Sequence, residues 1–142
     1  MTQEVKSVPI QNRGDIVESR MQVRTMAREA GLDPLDQARI SLATSTTAAI
    51  LGLESATGSQ ISIGYLHNAG RPGVQVTCTR HGALLHDLAS GVLDDTRRMV
   101  DALYVEDMPT NGIKVVLIKW GSRRLHPTIT AEEAVPEDEQ VR

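Results

Sequence analysis

Cys78 and His81 stand three residues apart across the end of a strand-like segment, and a thiol beside an imidazole could form a nucleophile–base pair. The plainer account fits the residues better: Cys78 as a small inward-facing apolar side chain and His81 as a loop residue. His81 and His86 could share a metal ion, but no third ligand is convincingly spaced, which favours solvated loop histidines. A third feature is the hydroxyl run Thr44-Ser45-Thr46-Thr47, in the middle of a stretch that otherwise reads as a core helix. Such positions normally hold Leu, Ile or Val, so this face raises the question of a polar site. Asp94 to Arg98, "DDTRR", reads as acids complementing a helix dipole followed by solvated arginines, with a partner-facing cluster as the alternative. Arg123 and Arg124 form a small basic pair after the last apolar segment.

Elements must hold these residues in place, and the composition says what they can be built from. The 142 residues suit one domain with a real core; 40% are hydrophobic but only 2% aromatic, with no Phe. The core must therefore be made of Val, Ile, Leu, Ala and Met. The net charge is −3, and the stretch Glu132–Arg142 alone carries −4, which leaves +1 on the first 131 residues. A near-neutral body without a concentrated basic face argues against nucleic-acid binding. One cysteine rules out an intrachain disulfide and a cysteine metal cluster. No apolar run approaches the ~18 residues of a membrane span, and a polar N-terminal stretch lacks a signal-peptide core, so a cytoplasmic protein is expected.

"EVKSVPIQN" reads as a first strand limited by Pro9 to an edge or terminus. From Asp15, "DIVESRMQVRTMAREAG" has helical periodicity, with Asp15 as the expected N-cap and Gly31 at the C-terminal stop. "LDPLDQAR" restarts a helix, with Asp33 capping and Pro34 in the first turn, and this second helix should run to about Leu53. "QISIGYL" and "VQVTCT" alternate as strands around the loop "HNAGRPG", placing Ile61, Ile63, Tyr65, Val74, Val76 and Cys78 inward. "HGALLHDLASG" is irregular or a short helix. "VLDDTRRMVDALYV" reads as a helix, with Leu93, Thr96, Val100 and Leu103 at helical spacing. "GIKVVLIKW" is a closing strand, either central or buried on both faces. This order predicts an α+β two-layer sandwich, a mixed sheet with helices on one face. Residues 1–122 should form the domain, and 123–142 a flexible acidic tail.

"DIVESRMQVRTMAREAGLDPLDQARISLA" resembles the N-terminal half of the anti-sigma regulatory serine kinases, especially the stressosome switch-kinase branch. Those proteins belong to the histidine-kinase-like ATPase superfamily, the Bergerat fold. The likeness runs from about Asp15 to Trp120; Asp36-Gln37-x-Arg39-Ile40 is its most specific part, and Ile118-Lys119-Trp120 matches the branch's final strand. Three ATP motifs are implied. The first is a helical Glu and an Asn four residues on, for proton acceptance and magnesium; Thr46 and Ile50 stand there. A side chain without oxygen cannot serve a hard cation, and a threonine is no carboxylate base. The second is Asp-x-Gly-x-Gly for adenine; the matching residues are Arg80, Gly82 and Leu84, and a guanidinium cannot accept from an amino donor. The third is a glycine-rich lid, shortened here to Leu85–Gly91.

Taken together, these departures predict a catalytically inactive pseudokinase with no cofactor, working through protein contacts; the alternative is an active ATP- and magnesium-dependent serine kinase with non-standard nucleotide ligands. The resemblance implies a bacterial partner-switching or stress pathway, with a STAS-domain antagonist or a PP2C-type phosphatase as partner. A homodimer subunit of a larger assembly is a further option. Arg20, Arg24, Arg28, Asp36 and Gln37, on the helix pair, mark the expected partner surface. Ile50, Leu84 and Leu85 should fill the space where active relatives accommodate nucleotide.

Overall fold

The computed structural model describes residues 2–83 and 85–121, with side chains from Lys6 onward. A strand β1 (Thr2–Pro9) precedes two helices, α1 (Arg13–Glu29) and α2 (Pro34–Leu51). A hairpin of β2 (Gln60–Asn68) and β3 (Arg71–His81) follows, then a short helix α3 (Asp94–Arg98) and a second hairpin of β4 (Ala102–Met108) and β5 (Gly112–Trp120). Leu84 and residues 122–142 lie outside the described residues, and with them the expected tail.

The ends of the two long helices follow from a few residues. α1 starts at a capping box: Asn12 Oδ1 accepts from the Asp15 amide at 3.1 Å, and the Asp15 carboxylate accepts from the Asn12 amide at 3.3 Å. Asp15 is thus the third helical residue and not the cap, because Asn12 supplies a better-placed cap three residues earlier. At the other end Gly31, at φ +93°, lets the Leu32 amide reach Ala27 O and its own amide reach Arg28 O, closing the helix. α2 begins as expected, with Asp33 accepting from the Asp36 amide at 2.9 Å and Pro34 in the first turn. It stops at Leu51 because Gly52 takes the left-handed conformation at φ +64°.

The sheet order is β1-β2-β3-β5-β4, and every pairing is antiparallel, where a mixed sheet was expected. The α1–α2 pair explains the difference. It returns the chain to the end where β1 finished, so the Ile10 amide bonds Ser59 O at 2.9 Å and β2 runs back along β1. The "HNAGRPG" loop shrinks to two residues, Ala69 and Gly70, both at positive φ, with Asn68 already paired to Arg71.

Both long helices cover one face of the sheet. Val23, Met26, Ala27, Ile40, Ala43, Ala48 and Leu51 pack over Ile61, Ile63, Val74, Val76, Cys78, Val115 and Leu117, all buried. The α+β class and the helix layer on one face therefore stand. β5 is central, but its burial alternates: Ile113, Val115 and Leu117 point to the helices, while Lys114, Val116 and Ile118 are half-buried on the opposite side. That second face is an open polar surface with Ser62, Gln75, Thr77 and Lys114.

One expected element is divided. Of the helix read over "VLDDTRRMVDALYV", only Asp94–Arg98 is helical, and Ala102–Met108 is an edge strand. Pairing decides the matter: Leu103 faces Leu117, and Val105 faces Val115. The Asp101 amide bonds Ile118 O at 2.9 Å and its carboxylate accepts from the Trp120 amide at 2.7 Å, which locks that register. Among the described residues no helix is long and apolar enough to cross a membrane.

Candidate functional site

On α2 the hydroxyl run resolves into packing. Ala43, Thr44, Thr47 and Ala48 fall on the buried face, and their small size lets the helix approach the sheet closely. Thr44 Oγ1 donates back to Ile40 O at 2.8 Å, as threonines within helices do, while Thr47 Oγ1 is buried without a hydrogen-bond partner among the described residues. Thr46 is half-buried, and Ile50 packs against the core edge. At these two positions the chain offers one hydroxyl and a hydrocarbon. They do not fit a magnesium ion, which takes oxygen ligands in near-octahedral geometry. Among the described residues no group of three or more His, Cys, Asp or Glu is arranged to hold a metal.

Arg80, at the end of β3, is already committed. One guanidinium nitrogen donates to Leu51 O at 2.6 Å, at the C-terminus of α2, where free carbonyls and the helix dipole favour a cation. Its Nε is buried with no partner among the described residues. Gly82 adopts φ +82° and its amide bonds Asn111 O at 2.9 Å, so it makes the turn out of β3. Leu84 is outside the described residues. Arg80→Met should cost about 1–3 kcal/mol, since the Leu51 carbonyl loses its charged donor; urea unfolding of the variant measures this.

The short lid segment starts with a single 3-10 turn, Leu85–Asp87. The Leu85 amide is held by the Asp107 carboxylate of β4 at 2.6 Å, and the Leu85 side chain is 43% exposed. Leu85 therefore does not fill a nucleotide space, contrary to expectation. It borders an open cleft of about 380 Å³ shared with Leu88, Ser90, Val92, Asp94 and Arg97. Ile50 is partly buried against the core.

Cys78 and His81 are not a catalytic pair. Cys78 is fully buried under the helices, whereas His81 is exposed and lies over Gly58. His86 is exposed too, beside Asp87. Burial pushes the Cys78 thiol from its ordinary 9.0 to about 12. The folded chain thus keeps the proton that the unfolded chain sheds above pH 9. The associated stability is complete below pH 9 and falls by roughly 1.4 kcal/mol per pH unit from there toward 12. Tyr65 adds to the decline with the same sign. Its hydroxyl donates to Glu29 at 2.7 Å, and this bond, helped by desolvation and the carboxylate's charge, raises it from 10.0 to about 12. Unfolding free energies measured across this range in Cys78→Ala and Tyr65→Phe chains should each show a shallower loss.

On the helix pair, Arg20, Arg24 and Arg28 are exposed. Asp36 and Gln37 are not. Asp36 is buried and lies 3.4 Å from Lys119 Nζ, while Gln37 donates to Leu32 O at 2.8 Å; both brace the loop and the first turn of α2 from within. Neither is therefore available on the surface where it was expected. Arg13, absent from the expected set, shares the face of the three arginines: at about 100° per residue, Arg13, Arg20, Arg24 and Arg28 fall in one arc of about 100° with exposed Val17 and Met21. Counting i, i+4, i+7, i+11 from Val17 or Arg13 would have found it. Lys119 was missed because a lone lysine in an apolar strand gives no sign of its partner.

No protein-family model matches the chain. It is, however, similar to the serine/threonine-protein kinase RsbT of Bacillus subtilis (strain 168): 28% identical over 127 residues, covering 80% of this chain and 94% of the relative. This overturns one expectation. Substitutions at 46, 50 and 80 led to a chain that is not an enzyme; likeness across nearly the whole of a protein named as a kinase points to an enzyme.

Proposed function

We propose that the chain is a regulatory protein of the anti-sigma switch-kinase type, an enzyme in class, that acts on a protein partner in a bacterial partner-switching pathway. The observation that carries this reading is the likeness to a named serine/threonine kinase over 94% of that relative's length. The fold supports it, since the same α+β sandwich is what the resemblance of "DIVESRMQVRTMAREAGLDPLDQARISLA" implies. ATP and magnesium are the cofactors of such a kinase. Thr46, Ile50 and Arg80 do not fit the ligand roles the resemblance assigns to those positions, so no phosphoryl-transfer step is drawn through them. The partner is a STAS-domain protein or a PP2C-type phosphatase, and it is met by the exposed arginine arc of α1.

Two measurements test the reading separately. Labelled ATP with magnesium is offered together with a purified STAS-domain protein, and transfer of the label to a serine or threonine is expected, with saturable nucleotide binding by the chain. Neither binding nor transfer would overturn the kinase assignment. Direct binding assays against a STAS domain and a PP2C-type phosphatase test the partner; failure with both would remove it.

A further inference from the structure

The arginine arc of α1 is not neutralised by ion pairing among the described residues. None of Arg13, Arg20, Arg24 or Arg28 makes an ion pair among the described residues. The acids of the same helix lie off the arc and are engaged elsewhere: Asp15 in the capping box, Glu18 with Gln22, Glu29 with Tyr65. Between the arginines sit Val17 and Met21, at 46% and 59% exposure. The face is thus cationic with an apolar thread, on a chain whose first 131 residues carry only +1.

The matching chemistry is in the same chain. "EEAVPEDEQVR", Glu132–Arg142, holds five acidic residues, two before Val135 and three after it. Its attachment point is close to the arc. The Gly121 amide bonds Pro72 O at 2.8 Å, and Arg71 Nε holds Gly121 O at 3.0 Å. Pro72 in turn shares a shallow apolar groove with Glu29 and Ala30, at the C-terminal end of α1. The chain leaves the sheet there, toward the C-terminal end of α1. Glu132 is eleven residues beyond Gly121, a reach of up to about 36 Å, while α1 with its 17 residues is about 25 Å long. Every arginine of the arc is within reach. Tethering also supplies an effective concentration on the order of millimolar, so a contact too weak to hold two separate molecules is well populated.

We infer that the acidic stretch Glu132–Glu139 docks on the Arg13–Arg20–Arg24–Arg28 face of α1 and competes there with the protein partner. The docking stands on charge and reach alone; only its consequence for partner binding rests on the proposed function. Neutralising the stretch would then tighten partner binding, since the covered fraction subtracts from the binding-competent population.

The buried state of Cys78 permits a direct test on the full chain. A nitroxide is attached to a Gln140→Cys substitution, and amide signals are recorded by NMR. Broadening of the signals of residues 17–28 is expected, with those of Gln75 and Thr77 on the open sheet face unaffected. The broadening should vanish at ~1 M salt, where the Debye length is about 3 Å, and in an Arg20→Glu/Arg24→Glu chain. No broadening along α1 would overturn the inference, as would broadening that survives both salt and charge reversal. A sample mixing spin-labelled chains with separate isotope-labelled ones should show no broadening; if it does, the contact is between copies and the inference fails. No partner enters this experiment, so it can fail while the proposed function stands, and the reverse.

Discussion

An Asp36→Ala chain is expected to lose about 3 kcal/mol of unfolding free energy, the lower end of the cost of breaking a buried ion pair. The Asp36 and Lys119 side chains are 9% and 11% exposed, with the carboxylate 3.4 Å from Nζ. Removing the acid leaves an ammonium buried beneath the first turn of α2. The loss stays at the lower end because Asp101, also 3.4 Å from Nζ and more exposed, still neutralises it. The double variant Asp36→Ala/Lys119→Met should recover most of the loss, since no charge is then stranded. Urea or thermal unfolding of the four chains of the cycle gives the coupling. Were Asp36 instead part of a partner surface, its replacement would lower affinity and leave stability intact.

The reverse pattern is expected at Arg20 and Arg24. In an Arg20→Glu/Arg24→Glu chain, stability should stay within about 0.5 kcal/mol, because both side chains are exposed and unpaired among the described residues. Affinity for the partner should fall about 100-fold, at roughly 1.4 kcal/mol for each reversed charge. Most of the salt dependence of association should go with it. Titration calorimetry at two salt concentrations reads both quantities. An unchanged affinity would move the interface away from α1.

These two variants mark what the sequence made visible. The stop and start signals of α1 and α2 were legible because Gly31, Asp33 and Pro34 act through local geometry alone. The strand faces were legible through alternation, and Val74, Val76 and Cys78 are indeed buried. Ala102–Met108 was misread because Leu93, Thr96, Val100 and Leu103 are all buried at helical spacing while the backbone pairs with a strand that follows it in the chain. Asp36 was misread for a similar reason. An acid in a first turn looks dipole-directed and exposed, and only the arrival of Lys119, 83 positions later, explains its burial. At the candidate site, residue types showed which ligands Thr46 and Ile50 cannot provide. They did not show that Arg80 would cap α2.

The pairing of Ser7 with Ser62 has a consequence for how the chain assembles. β1 is made first but has no hydrogen-bonding neighbour until β2 has been synthesised, after both long helices. During that interval the α1–α2 hairpin can form from local contacts, while β1 remains an open strand edge. Its late docking adds non-local contact, which slows folding and exposes a nascent chain to edge-to-edge association. The edge is brief in sequence and ends at Pro9, whose missing amide removes a donor where β1 leaves the sheet. A nascent chain that has emerged only as far as about residue 60 would therefore hold a helical hairpin preceded by an unpaired strand, the stage at which a chaperone would have most to bind.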